Sequence, residues 1–352
     1  MSTHLVGQRV KRLEDPNLLS GRGQFVDDLH LPNMLHAAFL RSPFAHARIT
    51  SIDLSEASSM PGVHMVWMAK DLPSNMRGRR LLLQVPNPAI RHAFTQEPLA
   101  SEEVCFVGEP VAVVVAESRH LAEDACERIV IDYETLSVSA DCETAIKPGA
   151  SSAHADLEDN IAAQFTLEFG DVDAAFRDAP HIFQDRYFQH RGTANPMEGR
   201  GIIAAYDPIS NDFTVWSATQ SPFIIRRALV DMFQVEENTI RVIAPKDVGG
   251  GFGPKGMSYP EDVVIPALAR DLNRPVKWIE DRREHFLTTT QERDQIWDVS
   301  IAVDDDGKIL GLRGRLAHDA EHAHTPRHAC DRHRQEEQGE TLAFAINAVD
   351  RL

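Results

Sequence analysis

The chain has 352 residues, 43% hydrophobic and 25% charged, the composition of a globular protein whose core is large enough for two or three domains. Its 36 basic and 53 acidic residues give a formal charge of −17, so most of the surface repels a phosphate backbone and nucleic acid is not an expected partner. No apolar run reaches the roughly 18 residues of a membrane span and the N-terminus has no signal-peptide core, so the expected location is the cytoplasm; four cysteines without a CxxC pair supply neither an iron–sulfur cluster nor a zinc motif.

In chain order, apolar runs at 35–40 and 63–68 predict strands, and Pro110 introduces a third at 111–116 whose unbroken apolar character suits a buried strand. Ser118 is placed to cap a helix over 119–128, with Leu121, Ala122 and Ala125 on one side, before 129–133 returns as a strand; together these read as one compact β-α-β unit. The basic trio Arg77, Arg79 and Arg80 reads as the solvated flank of a strand at 81–83. Residues 147–160, rich in Pro, Gly, Ser and acidic or amide side chains, mark a domain boundary.

Beyond it come a short helix at 171–179 and strands at 181–188, 201–206 and 213–217, the last two paired as a hairpin across the turn residues Asp207-Pro-Ile-Ser-Asn-Asp212. Pro222 opens a helix reaching 233, a strand follows at 239–244, and a helix over 261–271 is interrupted by Pro266 before a strand at 276–279. Five of the sixteen histidines fall between His318 and His333. His318 and His322 have the spacing of a helical metal pair, with His324, His328 and Cys330 beyond, but the polar context favours a disordered tail over 320–352.

Between strand and helix lies Val248-Gly-Gly-Gly-Phe-Gly-Pro-Lys-Gly256, with five glycines in eight positions from Gly249. Successive N–H groups in such a loop can turn toward one anionic or oxo group, and Phe252 is expected to pack and order it. Gly251-x-Gly253-x-x-Gly256 also matches a dinucleotide fingerprint, with Glu280 and Asp281 as the acids that would meet a ribose; a Rossmann-type nicotinamide enzyme is therefore one alternative. Gln220 ends a strand at a helix start, where an amide either faces solvent or donates to a ligand.

Three N-terminal stretches, Gly-Arg-Gly-Gln-Phe-Val-Asp-Asp (21–28), Arg-Ser-Pro-Phe-Ala-His-Ala-Arg-Ile (41–49) and Val-Gly-Glu-Pro-Val-Ala-Val-Val-Val-Ala (107–116), resemble the hammerhead-like domain of molybdenum hydroxylases. Trp-Ser-Ala-Thr-Gln (216–220), Val-Gly-Gly-Gly-Phe-Gly-Pro-Lys (248–255) and Val-Lys-Trp-Ile-Glu-Asp-Arg-Arg-Glu (276–284) are similar to the start of the molybdopterin-binding region of that family. The family includes xanthine dehydrogenase, aldehyde oxidase and the large subunit of carbon monoxide dehydrogenase. The resemblance implies an α+β fold, with a hammerhead-like domain over 1–146, the first part of a mixed α/β molybdopterin-binding domain over 147–319, and the divergent tail.

It also implies roles. Gln220 matches the glutamine that hydrogen-bonds the molybdenum oxo ligand; Gly250, Gly251, Phe252 and Gly253 match the loop against the metal centre; Arg293 matches an arginine near the substrate; Glu198 reads as a turn residue. No protein ligand to the metal and no catalytic residue is expected within the chain, since the glutamate that serves as base in this family lies downstream of the matching region. The implied cofactor is molybdenum-molybdopterin in its cytosine dinucleotide form, with iron–sulfur clusters and FAD on partner subunits. A separately encoded second half, or a frameshifted or truncated reading frame, would account for the divergence near Ala320. The implied activity is oxidative hydroxylation of an aldehyde, N-heterocycle or similar small substrate with water as oxygen source, in an oligomeric complex. A non-catalytic remnant that binds or assembles is the other alternative.

Overall fold

A computed structural model of the chain describes residues 6–83, 88–92 and 95–319, and the backbone of 340–345. Its strands are β1 (Leu35–Arg41), β2 (Ala47–Asp53), β3 (Val63–Met68), β4 (Glu103–Val104), β5 (Pro110–Ala116), β6 (Val130–Thr135), β7 (Ile161–Leu167), β8 (His181–Gln189), β9 (Gly201–Asp207), β10 (Asp212–Ser217), β11 (Ile240–Ile243), β12 (Val276–Ile279), β13 (Gln295–Val303), β14 (Ile309–Asp319) and β15 (Glu340–Ala345). The helices are α1 (Asp15–Leu19), α2 (Ser55–Ser59), α3 (Arg119–Cys126), α4 (Cys142–Ala145), α5 (Val172–Asp178), α6 (Pro222–Phe233), α7 (Pro260–Leu272) and α8 (Arg282–Thr288).

A seven-stranded mixed sheet in the order β11-β10-β9-β12-β1-β5-β3 carries the main core. Strand β5 is buried at every position, as its apolar run requires, and pairs antiparallel with β1 and β3. Leu35 and His36 of β1 pair in parallel with Val276 and Lys277 of β12, so the sheet takes strands from both sides of the polar stretch at 147–160. That stretch is not loose: buried Asn160 accepts from Ala153 N–H and donates to the carbonyls of Ala145 and Ser151. Two smaller sheets complete the fold, β4-β2-β6 and β7-β15-β14-β13-β8.

The β-α-β unit expected over 111–133 is divided. Ser118 caps α3 by accepting from Leu121 N–H, and Ala122, Ala125 and Cys126 are buried, but β6 pairs with β2 in the three-stranded sheet and not with β5. Alternation explains it: β6 has no fully buried position, so it suits a half-exposed sheet. Pro266 does not interrupt α7. Every residue from Pro260 to Ala269 is buried, and packing on that scale outweighs the roughly 3 kcal/mol that an interior proline costs a helix. No strand forms at 81–83; Arg79 instead pairs with Asp231 and donates to its carbonyl at the end of α6, Arg77 donates to Leu72 O and Arg80 to Thr95 O.

The nicotinamide alternative fails on topology. Strand β12, which follows the glycine loop and α7, is separated from β11 by β10 and β9, and β9 runs antiparallel to both β10 and β12. A dinucleotide fold would place successive parallel strands side by side. The loop ends in a single 3-10 turn, Pro254–Gly256, while α7 starts only at Pro260. Glu340–Ala345, within the stretch expected as a disordered tail, pairs with β14 and β7; its Leu-Ala-Phe-Ala run has the apolar content that the histidine-rich segment lacks. His318 lies on β14, not on a helix, and His322, His324, His328, Cys330 and His333 fall outside the described residues.

Candidate cofactor site

The glycine loop is pinned at both ends. Upstream, Asp247 N–H donates to Gln24 O at 3.1 Å while its carboxylate accepts from Gln24 N–H at 2.8 Å. Glu198 then holds the loop itself: its Oε2 accepts from Gly249 N–H at 2.8 Å and from Lys255 Nζ at 2.7 Å, and its own N–H donates to Gly249 O. The Lys255 ammonium is fully enclosed; burial lowers its pKa, and the ion pair with Glu198 opposes that shift. The role expected for Glu198 is that of a turn residue. Its contacts show a structural residue whose work is to fix the glycine loop.

Gln220 closes the other side. Its N–H and the Thr219 hydroxyl both donate to Lys255 O, and its side-chain Oε1 accepts from Gly253 N–H at 3.0 Å. With the carbonyl end of the amide engaged, Nε2 is the end presented outward. A β-carbon on Gly251 would lie 2.5 Å from Gln220 Cδ, and one on Gly249 would lie 2.4 Å from Glu198 Cβ. Gly250 and Gly253 have φ of +95° and +113°, which side chains rarely adopt. The N–H groups of Gly250, Gly251 and Phe252 meet no acceptor among the described residues. Three successive open donors beside an oriented amide form a cradle for an electron-rich group.

Phe252 corrects an expectation. The residue is 74% exposed, its φ is +55°, and its ring lies over Gly250 instead of packing into the core. The loop is ordered by Glu198, Lys255 and Gln220. Arg293 sits between α8 and β13, with φ +74° followed by +54° at Asp294, a strained pair for residues with side chains. Its guanidinium pairs with Glu292, whose backbone bridges Gly192, and neighbouring Arg191 pairs with Asp294 and Asp319. Among the described residues no hydrogen bond joins Arg293 to Gln220 or the glycine loop. The two parts are linked through Tyr259, whose hydroxyl donates to Pro254 O at 2.8 Å and lies 3.0 Å from Thr290 Oγ1.

Beneath the loop is an ion network that sequence reasoning missed. Arg200 reaches Glu261 and Glu280, Arg41 reaches Glu261 and Glu284, and His285 Nδ1 lies 2.9 Å from Glu280. The Arg200 guanidinium also lies 3.9 Å from the centroid of the Tyr259 ring. Burial works against ionisation of Glu280, but Arg200 and His285 outweigh it and hold its carboxyl well below the usual range. Glu280 is therefore committed inside, and Asp281 caps α8 through Glu284 N–H; neither acid is free for a ribose. The signal available in the sequence was charge at the ends of apolar strands, at Arg200 and Glu280, which alone does not say that the two meet.

Two family descriptions match: the molybdopterin cofactor-binding domain over residues 153–330, and the aldehyde oxidase and xanthine dehydrogenase a/b hammerhead domain over residues 20–137. The chain belongs to the molybdopterin-binding aldehyde oxidase and xanthine dehydrogenase family. It is 39% identical over 326 residues to the nicotine 6-hydroxylase large subunit of Paenarthrobacter nicotinovorans, covering 93% of this chain. It is 38% identical over 322 residues to the carbon monoxide dehydrogenase large chain of Afipia carboxidovorans, covering 88% of this chain. In both cases the match covers 39% of the relative, so this chain spans about two-fifths of their length. Quinoline 2-oxidoreductase from Pseudomonas putida 86 superimposes with a TM-score of 0.88 at 35% identity, over 98% of this chain and 45% of that one. Among the described residues no helix is long and apolar enough to cross a membrane.

The residues fit the family's cofactor on grounds of their own. A side chain at Gly249, Gly250 or Gly251 would collide with Glu198, Phe252 or Gln220, and the open N–H groups of the loop suit a negatively charged oxo or sulfido group.

Proposed function

We propose that this chain is the N-terminal, cofactor-seating part of a molybdenum hydroxylase large subunit acting on an aldehyde, N-heterocycle or similar small substrate. Bound molybdopterin supplies the two-electron oxidation in which water provides the oxygen. The observation that carries the reading is the cradle formed by the N–H groups of Gly250, Gly251 and Phe252 beside the Gln220 amide, which Gly253 N–H orients. Gln220 would donate to an oxo group, the loop would exclude side-chain bulk, and Arg293 would steady anionic charge on the substrate. The names of two relatives, nicotine hydroxylase and quinoline oxidoreductase, support an N-heterocycle as one substrate class. Cytosine dinucleotide as the pterin form, iron–sulfur and FAD subunits as partners, and a cytoplasmic site of action belong to the same proposal, as does a separately supplied second half with the base glutamate.

The test is co-purification with the downstream part of such a large subunit, with molybdenum measured by mass spectrometry alongside turnover. The complex should hold molybdenum and turn over. The isolated chain should show no oxidation of aldehydes or N-heterocycles, since loss of a positioned base alone costs about two to four orders of magnitude. Gln220→Ala should lower turnover while molybdenum is retained, whereas Gly250→Val, at φ +95°, should lose the metal. A complex that assembles without molybdenum would favour the non-catalytic assembly reading, and full turnover by the isolated chain would sink the proposal.

A further inference from the structure

Away from the glycine loop, donor atoms from three separate stretches of chain converge beside the three-stranded sheet. His46 precedes β2, Glu103 opens β4 and Cys105 follows it, while His154 comes from the polar stretch after α4. The donor atoms of His46, Glu103 and Cys105 all lie within 4.8 Å of one another. His46 Nε2 is 3.3 Å from Glu103 Oε2, and His154 Nδ1 is 3.1 Å from Cys105 Sγ and 3.8 Å from Glu103 Oε1. A tetrahedral ion with bonds of about 2.0–2.3 Å sets its ligand atoms about 3.3–3.8 Å apart. The separations of 3.1, 3.3 and 3.8 Å fall in or close to that range; Cys105 lies within 4.8 Å of the His46 and Glu103 donor atoms and His154 stands outside that group of three, so binding draws these donors inward. His46 and Cys105 are buried, and the side chains of Glu103 and His154 are only 18% and 14% exposed.

The surrounding hydrogen bonds orient these donors inward. His46 Nδ1 lies 2.8 Å from Ser137 O, and a carbonyl only accepts, so Nδ1 carries a proton and Nε2 is the nitrogen directed at Glu103, bonded to it through a second proton when the ring is charged and open to an ion that displaces that proton. Ala155 N–H donates to both oxygens of Glu103 at 3.1 Å, which holds the carboxylate in place. Outer hydrogen bonds of this kind accompany metal-bound imidazoles and carboxylates.

We propose that His46, Glu103, Cys105 and His154 form a four-ligand tetrahedral site for Zn²⁺. Cys105 releases its thiol proton to solvent as the ion binds, and the thiolate and carboxylate balance the two charges of the ion. Such a site is closed and structural, and it ties the three-stranded sheet to the segment that leads into β7. The ligands are spread from residue 46 to residue 154, so no local motif announces them.

The test is a Co²⁺ titration of the full 352-residue chain after chelator treatment, followed by displacement with Zn²⁺. One equivalent should produce intense tetrahedral d–d bands and a thiolate-to-cobalt charge-transfer band. The histidines and Cys330 beyond residue 320 are a rival host, so Cys330→Ser is the control: it should retain both signals, and Cys105→Ser should lose the charge-transfer band. His154→Ala, at a side chain near the surface, should keep that band and weaken affinity more than about tenfold, because loss of even an outer hydrogen bond costs 10- to 100-fold. Circular dichroism checks that each variant folds, and His154→Ala reads the site independently should Cys105→Ser not fold. A weak octahedral spectrum, unchanged affinity in His154→Ala, or a band that survives Cys105→Ser and vanishes in Cys330→Ser would overturn the assignment.

Discussion

Gly251→Ala should act almost wholly through Gln220, and the structure gives the size of the effect. A β-carbon at residue 251 would sit 2.5 Å from Gln220 Cδ and Oε1 and 2.6 Å from Cγ, so the glutamine must rotate away. Rotation gives up the bond from Gly253 N–H, worth about 0.5–1.5 kcal/mol, and forces a displaced rotamer at about 0.5–1.5 kcal/mol. Gly251 does not have a positive φ, so alanine recovers about 0.4–1 kcal/mol through the unfolded chain. The net loss is about 1 kcal/mol. In a Gln220→Ala background Cγ, Cδ and Oε1 are gone, and the same change should be neutral or slightly stabilising. A double-mutant cycle by urea denaturation should therefore give a coupling of about 1–2 kcal/mol. Gly249→Ala is the contrast: its β-carbon meets Glu198 Cβ at 2.4 Å and Glu198 N at 3.2 Å, atoms that no rotation moves. It should cost about 3 kcal/mol, and Glu198→Ala should not relieve the clash. Equal cost of Gly251→Ala in both backgrounds would refute the account of how Gln220 is held.

Glu198→Ala strands the Lys255 ammonium in an enclosed site and should destabilise by about 3–5 kcal/mol, with Glu198→Gln costing less; thermal and urea unfolding measure both. Asn160→Ala leaves Ala153 N–H and the carbonyls of Ala145 and Ser151 without their partner and should cost at least about 2 kcal/mol, a loss visible as faster hydrogen exchange at Ala153. Burial raises the Asp262 carboxyl to about 7, against the Tyr259 N–H and Arg200, which favour its charged form. The folded state thus binds this proton more tightly than the unfolded one. The contribution of Asp262 to stability is complete below pH 3.8, its ordinary value, and is lost as pH rises through about 7. Asp262→Asn should flatten stability across that window, and an unchanged pH profile would count against the burial argument.

Local chemistry determined much of this protein. Helix α6 runs from Pro222 to Phe233, strand β3 from Val63 to Met68 and strand β12 from Val276 to Ile279, matching the proline start and the apolar runs, because caps and periodicity act over a few residues. The hairpin of β9 and β10 follows from its turn residues in the same way. The glycine loop was legible as bare backbone, since so many glycines in eight positions signal it wherever the loop lies, whereas Gln220 was singled out as a ligand contact only by the family resemblance. What tertiary structure alone decided is who meets whom. That β1 pairs with β12, 241 residues apart at Leu35 and Val276, that Glu198 reaches Lys255, and that Arg200 and Arg41 share Glu261 are contacts between residues with no common local pattern. The exposure of Phe252 is of the same kind. An aromatic ring packs only where the fold leaves it a partner, and the positive φ of residue 252 turns it away from the core.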